Sequence, residues 1–585
     1  ERRRLFLIPG SSWNDYDRTK ISPPGDIFDR KAKSVLPSPQ VRAALGIPDD
    51  APEEMTPNEL IHLALQAPVD LLWNGGIGTY VKSSKESHAD AGDRANDAVR
   101  VDGKEVRARV VGEGGNLGFT QRGRIEYAQS GGRINTDFID NSAGVDTSDH
   151  EVNLKILLGL ANQRGEMTFE ERNAMLGESV GDVVQHVLYD NYLQAQILSQ
   201  EMEVSTRRIE AYEDLMQQIE AEGDLERDVE FLPTTEEMLQ RRADGAAMAR
   251  PELAVLVAYA KRSIAAALLE SDLPDSEYLA HDLQRYFPPT VVQRFEHLVP
   301  EHPLRRELVA TMASNDVVNS QGVTFVSRMV TETGTQHSDV VRAFRVARDV
   351  TGALGRWAAI EALDGKIDPG VQNELMTGVD WLVEATSRWY LVRAAGLHLS
   401  QAVGEARDSF AELSGVLDQI GPDAWREERE HIARRLVAEG VPMDVARRHA
   451  FQGELVHGPD IITVAHTTGR SVLEVARGFF SMGERLDIDW LESRLDEMSM
   501  GTRWQRWAQQ SIEDDLFNLR RLMVEKVLAE AGPDTPIDEA VESFLQRRAD
   551  AFGRLQRFMR GLAMEGVTDL AQLTVALRQI RSLVG

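Results

Sequence analysis

Two turns that combine asparagine with small residues are the parts of this sequence best suited to bind a ligand. In residues 112–118, four glycines leave the backbone bare around Asn116, so a ligand can approach without meeting a Cβ atom. In residues 140–144, Asn141 stands among serine, alanine and glycine. Exposed backbone groups and side-chain amides can hydrogen-bond the polar edge of a flat cofactor. The two turns therefore predict a cofactor-binding site.

Each of these turns follows an apolar segment that is typical of a β-strand. Residues 106–111 and 134–139 are the two predicted strands, and ligands of open α/β sheets lie at the carboxyl ends of strands. A third predicted strand, residues 69–73, leads into Gly75 and Gly76. The beginning of the chain is therefore predicted to have an α/β fold.

After the second asparagine turn, the apolar periodicity becomes helical and stays so almost to the end of the chain. In residues 253–268 and 512–527, apolar side chains recur every three or four positions, as they do on one buried face of a helix. We therefore predict two domains, an α/β domain in residues 1–165 and a large all-α domain in residues 166–585.

Capping signals predict where two of the helices begin. Thr56 precedes Pro57, and proline suits the first position of a helix. Ser148 has capping-box spacing to Glu151, which predicts a helix that begins near Ser148. Taken by itself, Ser148 is therefore interpreted as the N-cap of that helix.

The charge and composition exclude several classes of protein. With 94 acidic and 65 basic residues, the net charge of −29 is unfavourable for binding nucleic acid or anionic lipid, because phosphate contacts need a local excess of Lys and Arg. The absence of cysteine excludes disulfides and thiol catalysis. None of the 13 histidines has a spacing typical of a metal site, so no metal is predicted. The most apolar run is broken by Lys261 and Arg262, and we expect a cytoplasmic protein without a membrane span.

Several motifs resemble those of the glutamate dehydrogenases, and more closely the large NAD-specific bacterial type. Dehydrogenases of amino acids carry Glu-Gly-Ala-Asn, then a strand that ends in Pro-Asp, then Asn-Ala-Gly-Gly-Val and Ser-Tyr-x-Glu. The matching segments here are, in the same order and spacing, Glu-Gly-Gly-Asn at 113–116, Asp-Asn-Ser-Ala-Gly-Val at 140–145 and Ser-Asp-His-Glu at 148–151. Further segments that resemble the large bacterial type are residues 70–81, 92–97, 250–256 and 302–307. The resemblance covers most of the chain and weakens after about residue 360.

The resemblance implies an incomplete Rossmann-like dinucleotide-binding domain followed by the helical domain, with NAD as the cofactor. It implies reversible oxidative deamination of L-glutamate to 2-oxoglutarate and ammonia, with this chain as one part of the enzyme. The phosphate-binding turn, the catalytic lysines and the acid/base aspartate are then expected upstream of Glu1, so this chain alone should be inactive. The helical domain should serve assembly and regulation within a homo-oligomer such as a tetramer.

The resemblance also implies roles for individual cofactor residues. Asn116 and Asn141 would bind the nicotinamide riboside end of NAD, Asn141 through the carboxamide. Gly115 belongs to the first cofactor turn, and the backbone of Gly75 and Gly76 would border the nicotinamide ribose. These five positions are the expected cofactor site.

Ser148 is the residue that bears on the choice of substrate. By resemblance, its hydroxyl would bind the side-chain carboxylate of glutamate, whereas relatives that oxidise leucine or valine have an apolar residue at this point. Asp149 departs from the family, which has an aromatic residue there. A second acid near a substrate carboxylate would be repulsive unless it faces away.

Plainer interpretations stay open for these residues. Asn116 and Asn141 could simply stabilise their turns, because asparagine tolerates left-handed backbone and bonds its own main chain. Gly75 and Gly76 could form a tight bend without a ligand. For the whole protein, the alternatives are a related dehydrogenase of an apolar amino acid and a noncatalytic helical protein of assembly or regulation.

Overall fold

The computed structural model describes residues 1–393, 396–421, 423–498, 503–532, 534–567 and 569–583. The chain divides into two compact units, Glu1–Thr324 and Phe325–Gly585. Helices dominate both units, which confirms the prediction of a large helical region. Helices beyond residue 165 belong to the same unit as the strands, and the predicted domain boundary at that residue stays a prediction.

The first unit begins with short helices and strands and continues as helices. Its strands are β1 Leu71–Asn74, β2 Val81–Lys82, β3 Val101–Asp102 and β4 Val110–Glu113. Its α-helices are α1 Arg2–Phe6, α2 Pro39–Leu45, α3 Pro57–Leu65, α4 Gln121–Gln129, α5 Asp137–Asp140, α6 Ala143–Gln163, α7 Phe169–Glu178, α8 Val180–Val204, α9 Ile209–Glu222, α10 Arg227–Glu230, α11 Thr235–Asp244, α12 Arg250–Leu269, α13 Glu277–Tyr286, α14 Pro289–Phe295 and α15 Arg305–Gln321.

The strands form two parallel pairs in the described part of the chain. β1 pairs with β4, with Asn74 opposite Glu113, so the loops after both strands leave from the same edge. β2 pairs with β3 through Val81 and Val101, which are almost fully buried. Helix α4 joins this core through Tyr127, whose hydroxyl donates to the Ala108 carbonyl at 2.6 Å.

The predictions for the first two strands hold in part. β1 confirms the strand predicted over residues 69–73, although it begins at Leu71. The strand predicted over residues 106–111 is present only from Val110, where β4 begins.

The predicted strand over residues 134–139 is wrong. Only Arg133 bridges to Val110, and the chain then turns into α5. The reason is a hydrogen bond made by a polar side chain: the Asp137 carboxylate accepts from the Leu117 backbone N–H at 2.8 Å. A helical turn places that carboxylate toward the glycine loop. A flat strand would alternate its side chains between two faces and lose this contact.

The capping signals give one correct and one incorrect helix start. Thr56 caps α3, since its hydroxyl accepts from the Glu59 backbone N–H and the Glu59 carboxylate accepts from the Thr56 N–H at 2.7 Å. Helix α6, however, begins at Ala143 and not near Ser148. The small residues after Asn141 already adopt helical backbone, so Ser148 lies inside the helix and is not its N-cap.

The periodic apolar faces are confirmed as helices. α12 buries Leu253, Leu256, Val257, Ala260, Ile264 and Leu268. In the second unit, helix α26, Arg503–Glu530, buries Ile512, Leu516, Leu519, Met523 and Val527. No helix among the described residues is both long enough and apolar enough to cross a membrane.

The second unit is all helical in its described residues. Its core contains the fully buried rings of Phe344, Phe410, Phe479 and Phe544, which come from four different helices. The helices are α16 Phe325–Thr333, α17 His337–Val350, α18 Ala353–Glu361, α19 Pro369–Arg393, α20 Leu399–Val416, α21 Asp423–Ala438, α22 Met443–Phe451, α23 Gly458–Thr468, α24 Val472–Arg485, α25 Ile488–Asp496, α26 Arg503–Glu530, α27 Ile537–Arg547, α28 Ala549–Glu565 and α29 Leu570–Arg581.

Candidate functional site

The two asparagine turns meet at the edge where β1 and β4 end. The Asn141 side-chain amide donates to the side-chain oxygen of Asn116 and to the Gly115 carbonyl, the latter at 3.3 Å. Asn116 is exposed and Asn141 is partly buried. The structure thus brings together two side chains that stand 25 residues apart and presents their amides at the surface.

The glycine turn after β1 closes the same edge. A Cβ atom added to Gly115 would lie 2.7 Å from the Gly76 carbonyl oxygen, so the two loops are in backbone contact. The Gly115 N–H also donates to the Asn74 carbonyl at 3.1 Å. Gly75 and Gly76 are both exposed beside this contact. All five predicted cofactor positions therefore lie at one end of the parallel strand pair.

Two glycines of the first turn have a structural explanation. A Cβ atom on Gly112 or Gly114 would approach the Trp73 indole ring to 2.7 or 2.5 Å. That is closer than side-chain carbons come in folded proteins, so these two glycines make room for Trp73. A Cβ atom on Gly76, in contrast, would have no neighbour within 4 Å. Open space for a ligand is thus found at the loop after β1.

A buried ion pair holds the loop that carries Asn116. The Glu113 carboxylate is fully buried and accepts from Arg124 Nε at 2.7 Å and from the Phe119 backbone N–H at 3.0 Å. Arg124 also contacts Asp137 at 3.0 Å. Burial raises the pKa of Glu113, and the hydrogen bond from the Arg124 guanidinium opposes that shift.

The loop between Glu113 and Phe119 is sharply bent within this frame. Leu117 has a φ of 60°, a left-handed conformation that side chains other than glycine and asparagine rarely adopt. Its backbone N–H is held by the Asp137 carboxylate, while the Glu113 N–H donates to the Asp140 carboxylate at 2.9 Å. Helix α5 therefore fixes both ends of the loop.

The second turn is held by an arginine from a distant helix. Arg250, at the start of α12, donates to the Asn135 side-chain oxygen at 2.5 Å and to the Ala195 carbonyl at 2.8 Å. Asn191 on α8 donates to the Ile139 carbonyl at 2.6 Å. Burial lowers the pKa of Arg250 to about 10, and the charge of Asp140 opposes that shift.

Ser148 lies apart from the asparagine pair. It is exposed in the second turn of α6, and its hydroxyl donates to the Val145 carbonyl at 2.6 Å. Seven residues separate it from Asn141, which is about 10 Å along a helix axis. The exposed hydroxyl retains its oxygen lone pairs and can rotate toward a ligand. Asp149 is also exposed.

Three residues of the site were not predicted from the sequence: Arg124, Asp137 and Arg250. A charged residue inside a strand, such as Glu113, does signal that a buried counter-charge is needed, because unpaired charges are not buried. Nothing in the local sequence identifies the partner. Arg250 lies 115 residues from the Asn135 that it contacts.

Comparison with known proteins places the whole chain within one group. Residues 1–201 match the family described as "Bacterial NAD-glutamate dehydrogenase, catalytic domain", and residues 245–582 match "Glutamate dehydrogenase, C-terminal". The chain is 39% identical over 587 residues to the NAD-specific glutamate dehydrogenase of Halomonas elongata. It is 40% identical over 584 residues to that of Pseudomonas aeruginosa and 38% identical over 592 residues to that of Mycobacterium tuberculosis. Each alignment covers 100% of this chain and 36% of the relative, so the chain spans about a third of their length.

Proposed function

The chain belongs to the family of bacterial NAD-specific glutamate dehydrogenases, and from this membership we propose that it forms part of an enzyme that oxidatively deaminates L-glutamate. The reversible products are 2-oxoglutarate and ammonia. The observation that carries the proposal is the contact between Asn116 and Asn141 at the edge where the parallel strands β1 and β4 end. Asn116 is exposed there and Asn141 is partly buried. Ligands of open α/β sheets bind at that edge.

The proposal includes a Rossmann-like sheet of which β1 and β4 are a part. Leu71 and Trp73 on β1 are 55% and 60% exposed, and Val110 on β4 is 38% exposed. Parallel sheets are normally covered on both faces, and their strands are rich in apolar residues for that reason. The exposed apolar face therefore supports the proposal that further strands or helices pack against this strand pair in the complete enzyme.

The residues of the edge suit the nicotinamide end of NAD. The Asn141 side-chain oxygen can accept a hydrogen bond from a carboxamide N–H, while the Asn141 amide nitrogen donates to Asn116 and Gly115. Gly75, Gly76 and Gly115 are proposed to border the ribose. Open space is found at Gly76, where an added Cβ atom would have no neighbour within 4 Å, whereas at Gly115 it would lie 2.7 Å from the Gly76 carbonyl oxygen. NAD supplies the hydride acceptor, and the chain's own contribution is to orient it and the substrate.

Ser148 is proposed to bind the side-chain carboxylate of the substrate. Its hydroxyl is exposed on α6, downstream of the Asn141 turn. A hydroxyl at this point favours a dicarboxylic amino acid over an apolar one, because a carboxylate needs a hydrogen-bond donor. The exposed Asp149 beside it can point into solvent and so avoid repelling that group.

We also propose a cytoplasmic homo-oligomer, such as a tetramer, without nucleic-acid or membrane partners. The net charge of −29 supports the absence of polyanionic partners. Assembly and regulation are assigned to the helical region of residues 166–585, which is predicted from the sequence to be one domain.

Replacing Asn141 by alanine in the complete enzyme should weaken NADH binding about two- to twelvefold. One net hydrogen bond to a neutral group contributes about 0.5–1.5 kcal/mol. The measurement is a fluorescence titration with NADH. Asn162→Ala is the matched control, because the Asn162 side chain donates to the Met167 carbonyl at 2.9 Å, far along α6. Equal NADH affinity in both variants would remove Asn141 from the cofactor site.

Removing residues 325–585 from the complete enzyme should reduce its oligomeric state, as measured by light scattering. The cut is placed after Thr324 because a cut after residue 165 would also remove Arg250, which holds Asn135. A truncated enzyme that contains the same number of subunits as the full enzyme would contradict the assembly role of the second unit.

A further inference from the structure

Three side chains with metal-binding chemistry converge on the inner side of α6. His150 Nε2 lies 3.8 Å from an Asp146 carboxylate oxygen and 4.0 Å from an Asp190 carboxylate oxygen. One ligand atom from each of the three lies within 4.8 Å of the others. Asp146 and His150 are spaced i, i+4 on α6, and Asp190 comes from the neighbouring helix α8.

His150 is buried, with only 6% of its surface exposed, and its ring stacks on Tyr286 with centroids 4.4 Å apart. Its Nε2 faces two carboxylates that are both too far away for a hydrogen bond. Within the described ranges of the chain, the Nε2 of His150 has these two carboxylates as its charged neighbours, and it is placed to serve as a ligand atom together with them.

The surroundings supply a second histidine and additional negative charge. His186 stands i, i−4 from Asp190 on α8, and its ring centroid lies 5.6 Å from that of His150. The charge of Asp149 also acts on Asp146. Two helices thus present one His–Asp pair each, four residues apart, to the same interior space.

Lys261 on α12 is a positive group whose charge interacts with the carboxylates of Asp146 and Asp190. Burial lowers the pKa of Lys261 to about 8, while Asp190 and Asp146 oppose the shift. In the part of the chain described here, its ammonium acts on them only through space and forms neither an ion pair nor a hydrogen bond with them. One lysine therefore leaves the cluster with an excess of negative charge.

We propose that Asp146, His150 and Asp190 form a binding site for Zn²⁺, with water or His186 as a further ligand. Imidazole nitrogen mixed with carboxylate oxygen suits zinc, whereas Mg²⁺ and Ca²⁺ prefer oxygen ligands alone. Ligand atoms about 2.0–2.1 Å from a tetrahedral Zn²⁺ are about 3.3 Å apart. The present His–Asp separations of 3.8 and 4.0 Å are larger, so binding requires the two partly exposed carboxylates to turn toward the ion.

Such a metal would join α6 to α8 behind the exposed face that carries Ser148. The site is independent of the proposed dehydrogenase activity, because metal content and affinity can be measured without turnover. A positional effect on Ser148 follows from the geometry, since Asp146 and Ser148 are two residues apart on α6.

The test is Zn²⁺ binding to the complete enzyme after treatment with a chelator, followed by calorimetry and by metal analysis. The wild type should bind one more equivalent of Zn²⁺ per chain than Asp190→Asn, or bind it at least about tenfold more tightly, since even an outer-shell partner contributes about 10–100-fold. His150→Gln should show the same loss. Excess Mg²⁺ or Ca²⁺ should not displace the ion.

His297→Ala is the control variant, because His297 pairs with Glu166 at 2.9 Å on the surface, outside the cluster. It should keep the zinc equivalent. Asp190 is 40% exposed, so Asp190→Asn is expected to fold even if a variant of His150 does not. Lys261→Met, which removes the competing charge, should tighten Zn²⁺ binding. Equal zinc stoichiometry and affinity in the wild type and Asp190→Asn would overturn the site, as would weaker binding in Lys261→Met.

Discussion

Replacing Arg124 by methionine should destabilise the first unit by about 3–5 kcal/mol, because removal of one partner leaves a buried charge uncompensated. Glu113 is fully buried and Arg124 is 2% exposed, so water cannot replace the lost guanidinium. The loop of Asn116 should also move, since the Phe119 N–H and the Arg124 side chain share the Glu113 carboxylate. The measurement is the unfolding temperature together with hydrogen exchange of residues 113–119.

The pH dependence of this variant has a defined sign. Burial holds the pKa of Glu113 above its ordinary value, and loss of Arg124 should raise it further. An acid with a raised folded pKa favours the folded state at low pH, where it is neutral, and this contribution is lost as pH rises through the folded pKa. The Arg124→Met variant should therefore be closest to the wild type in acid and fall behind it as pH increases.

Two further variants make the Arg124 result interpretable. Arg122→Met alters an exposed arginine of the same helix, which stacks on Phe231 at 4.8 Å, and should change stability little. Adding Glu113→Gln to Arg124→Met should recover part of the loss, because an amide is less costly to bury than a charge. A double variant as unstable as Arg124→Met would show that packing, and not charge, sets the cost.

Replacing Ser148 by valine in the complete enzyme should lower kcat/KM for glutamate about 10- to 150-fold. A hydrogen bond to a charged group contributes about 1.5–3 kcal/mol, and the valine side chain offers no donor. NADH affinity should stay nearly unchanged, because Ser148 makes no contact with Asn116 or Asn141 among the described residues. Activity with leucine relative to glutamate should rise. Steady-state kinetics with both amino acids and an NADH titration measure these effects.

Stability separates this role from a structural one. Ser148 lies inside α6 and caps nothing, so its replacement should change the free energy of unfolding by no more than about 0.5 kcal/mol, as for other surface positions. Thr147→Val is the matched control, since Thr147 is an exposed neighbour on the same helix. If Ser148→Val and Thr147→Val leave the ranking of glutamate and leucine equally unaltered, the substrate role is excluded.

Long apolar periodicity was sufficient to predict the helices. α12 and α26 bury the side chains whose spacing indicated a helix, because each helix has one continuous apolar face whatever it packs against. The segment 134–139 lacks such a face. Its conformation depends on where Asp137 and Asp140 find donors, namely the backbone N–H groups of a loop about 20–27 residues away. Local propensity does not contain that information.

In the candidate site, too, some features could be predicted from the sequence and others depend on distant contacts. The meeting of Asn116 and Asn141 at one site was predictable from their two small-residue turns, but its cause was not, because helix α5 and not a strand precedes Asn141. The residues that hold the turns were not, since Arg124 and Arg250 resemble any other surface arginine in sequence. Only the folded chain shows that Arg124 is buried and that Arg250 is partly buried against more distant segments.

The contact of Arg250 with Asn135 has a consequence for how this polypeptide tolerates being cut. The two residues belong to different matched regions, 1–201 and 245–582, yet Pro251 also accepts hydrogen bonds from Gln121 and Thr136 through its carbonyl. The exposed Gly223–Asp224 step, between α9 and α10, lies in the stretch that separates these regions. A protease nick there would leave the two pieces associated through these hydrogen bonds. Fragments expressed separately on either side of it should therefore be able to reassemble the site of Asn116 and Asn141.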